Sequence, residues 1–356
     1  MINLFPLARP FIHALDPEKA HNLTISALKA GITGSFGSAA DDPVLATEAF
    51  GLKFSNPVGL AAGFDKNADA VMGAQKMGFG FTEAGTVTPK PQAGNDKPRL
   101  FRLSEDRAVI NRFGFNNEGL DYFEKQLKAL PATRQPVGAN VGANKDADDR
   151  TADYVTGINQ LYGLSDYFTV NISSPNTPGL RALQSKAALE DLIGRVLEAR
   201  AKKISGGKPY VPMLVKIAPD LLEADIADIA DIALNTEIDG LIVSNTTITR
   251  PDTLVSSQKG ETGGLSGAPL MSLSTETLSA MYQATDGKVP LVGVGGIASG
   301  RDAYAKIKAG ASLVQLYSML VYEGPALVHQ VKKDLAALLK ADGFKSVGEA
   351  VGSGHR

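Results

Sequence analysis

The chain has 356 residues, 44% apolar and 21% charged, enough to build a sizeable core and too apolar for wholesale disorder. Its 36 basic and 38 acidic side chains leave a formal charge of -2, so no global positive field advertises nucleic acid. It has no cysteine, which excludes disulfides, thiolate metal sites, a cysteine nucleophile and an iron–sulfur cluster held by its own thiolates.

The opening segment carries Leu4, Phe5, Leu7, Phe11, Ile12 and Leu15, interrupted by Pro6, Arg9, Pro10, His13 and Asp16. The interruptions argue against a secretory signal, and no apolar stretch reaches the roughly 18 residues that span a bilayer. Two short helices are predicted instead, over about residues 4–14 and from Pro17, behind Asp16, to near Gly31. Ala20, Leu23, Ala27 and Leu28 fall near one face of the second. The pair reads either as a cap on the main domain or as an apolar face for lipid or an apolar ligand. GITGSFGSAADDP then reads as a linker, which divides the chain into residues 1–40 and 41–356.

From residue 57 one pattern repeats: a short apolar run ends in Gly, Asn, Ser or Thr, and a helical stretch follows. The predicted strands are 57–61, 79–84, 136–141, 167–172, 211–217, 240–244, 290–294 and 313–317. The predicted helices are 67–77, 117–130, 148–162, 185–204, 222–234, 273–285, 300–309 and 325–340. Several runs do not alternate, as suits strands covered on both faces. Eight units fit a closed (β/α)8 TIM barrel with a short N-terminal helical extension. A doubly wound sheet is the alternative, but GLAAGFDKN is not a GxGxxG turn, and polar residues cluster after many strands rather than at one switch point. Residues 98–115 read as a hairpin over the barrel top, and 245–271 as a long polar insert.

Lys66 follows the first strand and Lys216 sits inside LVKI; a lysine among inward apolar side chains needs an anionic or polar partner. Asn171, Ser173, Ser174 and Asn176 stand in NISSPNTPG, while Asn111, Asn140 and Asn245 follow or border other strands. Amides could hold a planar amide or imide ring, though each alone reads equally well as turn chemistry. Gly295 and Gly296, with Gly267, stand where a barrel commonly builds a phosphate cup. Four histidines without HxH or HExxH spacing argue against a histidine-rich metal site. Asp65 and Glu83 as a glycosidase pair lack any sign of facing geometry.

Taken in order, AAGFDKN (61–67), EAGTVTPKPQAGN (83–95), INRFGFNN (110–117), NISSPNTPGLR (171–181), SNTT (244–247), GGLSG (263–267) and GVGGI (293–297) closely resemble dihydroorotate dehydrogenase. LDPEKAH (15–21) and the helical extension resemble its membrane-associated, quinone-dependent class. The resemblance implies oxidation of dihydroorotate to orotate, FMN as hydride acceptor, and a membrane quinone as final acceptor, in pyrimidine (UMP) biosynthesis. It implies flavin contacts at Ala62, Gly63, Phe64, Asp65, Lys66, Thr86, Asn140, Asn171, Lys216, Ser244, Gly267, Gly296, Tyr317 and Ser318. Substrate contacts are implied at Lys66, Asn111, Arg112, Phe113, Gly114, Phe115, Asn171, Asn176, Asn245 and Thr246. Ser174 matches the catalytic base, and His21 and Arg102 resemble residues lining the quinone approach. A lone hydroxyl is a poor base, so Ser174 needs a proton outlet, assigned here to a water beside Thr177. The soluble classes commonly use cysteine as base, and this chain has none. The expectation is a peripheral protein on the cytoplasmic face of a bacterial inner membrane, monomeric, with no metal and no nucleic-acid partner. Another FMN barrel acting on dihydropyrimidines or tRNA, and a noncatalytic barrel, are the competing readings; absent Cys and net charge -2 argue against the tRNA enzyme.

Overall fold

The computed structural model describes residues 5–33 and 40–356; Leu4 and linker residues 34–39 lie outside the described residues. The chain opens with α1 (Phe5–Ala14) and α2 (Pro17–Lys29). Asp16 caps α2 by accepting the Lys19 amide at 2.9 Å, and Pro17 fills the first turn, where its missing N–H costs nothing. A hairpin follows, β1 (Thr47–Ala49) with β2 (Leu52–Phe54).

The repeating part comprises β3 (Val58–Leu60), α3 (Val71–Lys76), β4 (Phe81–Val87), β5 (Leu100–Leu103), β6 (Ala108–Asn111) and α4 (Gly119–Lys128). It continues through β7 (Val137–Val141), α5 (Arg150–Leu161), β8 (Tyr167–Asn171), α6 (Lys186–Ser205), β9 (Met213–Ile217) and α7 (Glu223–Asn235). The rest is β10 (Gly240–Val243), β11 (Gly264–Gly267), α8 (Met271–Ala284), β12 (Leu291–Val294), α9 (Gly300–Lys308), β13 (Ala311–Leu316), α10 (Leu320–Glu323), α11 (Ala326–Ala341) and α12 (Val347–Ala350).

Strands β3, β4, β7, β8, β9, β10, β12 and β13 close into a parallel barrel, β13 pairing back onto β3. Most are buried along their whole length, which is why they read as unbroken apolar runs. The eight expected strand–helix units are therefore present. The first helix differs: it begins at Val71 rather than residue 67, because the Asp65 carboxylate accepts the Asp69 and Ala70 amides and holds the preceding residues in turns.

Two features were not expected. The β1–β2 hairpin plugs the amino end of the barrel, with Phe54 against Phe81 at 5.2 Å between ring centroids. The 98–115 segment is the expected hairpin, β5–β6, but β11 from the 245–271 insert adds a third antiparallel strand. This small sheet buries its own cluster, Phe101, Leu103, Ala108, Ile110, Leu254 and Leu265.

The N-terminal helices dock at the opposite, carboxyl end. Glu18 of α2 accepts Arg99 Nη2 at 2.7 Å and Nε at 3.1 Å, and Arg102 Nη1 donates to the His13 carbonyl at 2.9 Å. Gly73 of α3 lets α2 approach: a Cβ there would stand 2.4 Å from the Leu28 carbonyl oxygen. The pair thus forms one wall of the space above the strand ends.

Candidate active site

That space is one cavity of about 500 Å³, lined by barrel loops on one side and α1 and α2 on the other. A polar chain runs along its floor. Asn171, at the end of β8, donates to Thr86 Oγ1 at 2.8 Å; Thr86 donates to Asn140 at 2.6 Å; Asn140 donates to Glu83 at 2.7 Å. Glu83 also accepts Gln315 at 2.9 Å and the Tyr167 hydroxyl at 3.1 Å. A buried carboxylate in an apolar strand is tolerable only with such donors. The chain locks the carboxamide of Asn171, whose oxygen accepts the Ser173 amide at 3.2 Å and hydroxyl at 2.8 Å.

Lys216 projects from β9 into the same space. Its ammonium is buried and, among the described residues, has no hydrogen-bond or ion-pair partner. Burial lowers its pKa, with the Glu83 charge opposing. An unpaired buried cation facing a cavity is a site for an anion or an electron-rich ring.

Gly267, Gly295 and Gly296 form a second feature of the wall, with φ of 94°, 109° and 79°. A Cβ on Gly296 would meet Met271 Cα at 2.5 Å, and one on Gly267 the Arg107 carbonyl at 2.4 Å. Ser318 donates to Ser266 beside them at 2.8 Å. Only glycine permits this backbone concavity, the shape that receives a phosphate.

Ser174 is buried in the loop after β8, and its Oγ accepts the Asn176 amide at 3.2 Å. Asn176 donates to Asn111 at 3.2 Å, and Asn245 to Ser173 Oγ at 2.8 Å. Thr177 Oγ1 is buried and has no hydrogen-bond partner among the described residues. Lys66 reaches in from the β3 loop, its ammonium 4.3 Å from the Phe113 ring centroid and 3.3 Å from His21 Nε2. Burial pushes the Lys66 pKa down to about 8, with Glu18 and Asp65 opposing. His21 stands edge-on to Phe64 and its Nδ1 lies 3.4 Å from the Tyr317 hydroxyl. Burial first, then the Lys66 charge, hold it well below the usual histidine pKa, so it is neutral at pH 7.

Of the residues singled out from sequence, Ala62, Gly63, Phe64, Lys66, Thr86, Asn111, Phe113, Gly114 and Phe115 all line the cavity. So do Asn171, Ser174, Asn176, Lys216, Ser244, Asn245, Thr246, Gly267, Gly296, Tyr317, Ser318, His21 and Arg102. Three expected contact side chains stand elsewhere. Asp65 is turned into the α3 cap. Asn140 is behind Thr86, and Arg112 points outward, over Phe101 and to Glu261 at 2.7 Å. Glu83 and Gln315 are components that sequence reading did not place; the only signal was a charged or amide side chain inside an apolar strand.

Comparison with known proteins settles the family. The family model described as dihydroorotate dehydrogenase matches residues 44–339. This chain belongs to the dihydroorotate dehydrogenase family. A relative named dihydroorotate dehydrogenase (quinone), from Azorhizobium caulinodans, is 56% identical, covering 100% of both chains. The mitochondrial dihydroorotate dehydrogenase (quinone) of Arabidopsis thaliana is 48% identical, covering 100% of this chain and 83% of that protein. The crystal structure of the dihydroorotate dehydrogenase of Eimeria tenella in complex with ferulenol superposes with a TM-score of 0.91 at 42% identity, covering 97% of this chain and 99% of that one. The dihydroorotate dehydrogenase fold therefore includes the N-terminal helices as well as the barrel.

Proposed function

We propose that this protein oxidises (S)-dihydroorotate to orotate with FMN held in the cavity, and passes the electrons to a membrane quinone, as a step of pyrimidine (UMP) biosynthesis. The observation that carries the reading is the shared cavity: Ser174, Lys66 and the asparagines line the same space as His21, Arg102 and α2, and Lys66 meets His21 at 3.3 Å. The wall fits the cofactor by its chemistry. Lys216 offers an unpaired buried cation for the electron-rich edge of an isoalloxazine, and the Gly267, Gly295 and Gly296 backbone offers a concavity for a phosphate. Lys216, Thr86, Asn171, Tyr317 and Ser318 would hold the flavin, which supplies the hydride acceptor when bound.

The chain's own part in the chemistry is positional and electrostatic. Asn111, Asn171, Asn176 and Asn245 orient the amide and imide groups of the pyrimidine. Lys66 offsets the negative charge of the substrate carboxylate and of the ring carbonyl as C5 loses its proton. Ser174 takes that proton, and the buried, unpartnered hydroxyl of Thr177 supports a water that carries it onward. Closure of the 171–181 loop over bound substrate excludes bulk solvent.

Residues 1–40 act as a membrane and quinone-access segment on the 41–356 barrel. Leu7 and Phe11 are 73% and 78% exposed on α1, as an interfacial helix requires, while Ala20, Ala27 and Leu28 face the cavity that a quinone tail would enter. No helix among the described residues is long and apolar enough to cross a membrane. We read the protein as peripheral, monomeric and on the cytoplasmic face of a bacterial inner membrane. The test is anaerobic mixing with dihydroorotate, then reoxidation by quinone, fumarate or NAD. Bleaching of a stoichiometric flavin and recovery by quinone alone is expected; a colourless protein, or recovery by NAD or fumarate instead, overturns the reading.

A further inference from the structure

Arg181 ends the segment NISSPNTPGLR, and its guanidinium uses three donors on three different loops. Nε donates to the Ser173 carbonyl at 3.0 Å, Nη1 to Asp220 Oδ2 at 2.9 Å, and Nη2 to the Thr246 carbonyl at 2.9 Å. Ser173 lies after β8, Asp220 after β9 and Thr246 after β10. Asp220 is bound in turn: it accepts the Thr247 hydroxyl, the Thr249 hydroxyl at 3.1 Å and the Ile248 amide at 3.2 Å.

The Ser173 carbonyl belongs to the peptide that leads into Ser174. Fixing that oxygen fixes the peptide plane and the N–Cα bond of Ser174, which narrows the positions its side chain can take to those reached by φ and χ1. Among the described residues Ser174 Oγ has one hydrogen-bond partner, the Asn176 amide two residues along the same loop, so its aim depends on how that loop's backbone is held. The other end of the fork fixes Thr246, beside the Asn245 that donates to Ser173 Oγ. A planar fork with three directed N–H groups does this; the point charge of a lysine cannot.

We propose that Arg181, seated on Asp220, is a positioning residue for proton abstraction, aiming Ser174 at substrate by tying the loops after β8, β9 and β10 together. It touches neither reacting carbon. The inference rests on the functional reading above, in which Ser174 is the base.

The test compares wild type, Arg181→Gln, Arg181→Lys and Asp220→Asn as flavin-loaded full-length proteins by anaerobic stopped flow. A base displaced by about 1 Å costs on the order of 10²-fold in rate. Flavin reduction by dihydroorotate falls by about that factor in Arg181→Gln, less in Arg181→Lys, which keeps one of the three contacts, and less in Asp220→Asn, while reoxidation by quinone stays within about twofold of wild type. Loss of both half-reactions in parallel, or an unchanged reduction rate, overturns the proposal. Asp220→Asn, nearly isosteric, carries the same comparison if Arg181→Gln does not accumulate. Failure of wild type to be reduced by dihydroorotate overturns the functional reading itself; selective failure of the variants' pattern overturns only the clamp.

Discussion

The ammonium of Lys66 and the imidazole of His21 stand 3.3 Å apart, so a lysine from the β3 loop meets the wall formed by α2. Two positively ionisable groups this close cannot both carry charge cheaply in a buried site. Histidine yields: its pKa falls well below normal, and Lys66 keeps the proton at neutral pH.

Lys66 therefore imposes a pH dependence on ligand binding. Its pKa is lowered to about 8 by burial, so the cation is present below that pH and lost above it. Affinity for the anionic product orotate should be flat below pH 7 and weaken as pH rises through about 8, read from perturbation of the flavin spectrum. Lys66→Ala should fold, bind orotate weakly at every pH and lose turnover. An alkaline decline that persists unchanged in Lys66→Ala contradicts this assignment.

The exposed face of α1 should govern membrane attachment. Leu7→Ser with Phe11→Ser removes two large apolar side chains that are mostly exposed to solvent. Each is worth roughly 1.5–3 kcal/mol when transferred from water, so the pair should weaken vesicle binding by about 10²-fold or more. Flotation measures binding; turnover with a short-chain soluble quinone should survive. Unchanged flotation would show that lipid meets some other surface.

Glu18→Ala should loosen the helical wall. It leaves Arg99 buried with, among the described residues, the Ala93 and Asn95 carbonyls at 2.7 and 2.8 Å as its remaining hydrogen-bond partners. Removing one partner of a buried ion pair costs about 3–5 kcal/mol. The expected readout is a fall in Tm of several degrees, with slower quinone reaction and little change in flavin reduction.

Lys306 is fully buried between α9 and α8, donating to Ser274 at 2.8 Å and Thr275 at 3.1 Å, with no ion-pair partner among the described residues. Burial pushes its pKa down to about 7, against roughly 10.4 in an unfolded chain. Between those values the unfolded state holds the extra proton, so stability gained at this site rises with pH; below about 7 the full penalty applies. Lys306→Met keeps the volume, and both hydroxyls retain the Met271 carbonyl. The variant should be more stable than wild type at pH 6–7, by on the order of 2–4 kcal/mol, with the gap closing toward pH 9. A gap independent of pH contradicts the assignment.

The barrel was legible because each strand, buried on both faces, leaves an unbroken apolar run ending in a turn residue. The β1–β2 hairpin was not: three-residue strands show no periodicity. Nor was β11, whose GLSG reads as a turn until it meets β6, more than 150 residues earlier in the chain. In the site, the ordered motifs pointed to Lys66, Asn171, Ser174 and Lys216, all of which line the cavity. Side-chain direction was beyond reach for Asn140 and Arg112, because it depends on strand register and on partners such as Thr86 and Glu261. Glu83 makes sense only once Gln315 and Tyr167 arrive from distant strands.

The central claim is that one cavity runs two separable half-reactions with different side chains, and anaerobic stopped flow on Ser174→Ala and His21→Ala tests it most directly. Ser174→Ala should slow flavin reduction by dihydroorotate by about 10²- to 10⁴-fold and leave quinone reoxidation intact; His21→Ala should do the reverse, slowing reoxidation alone. Both variants slowing the same half-reaction, or each slowing both halves equally, would contradict that division.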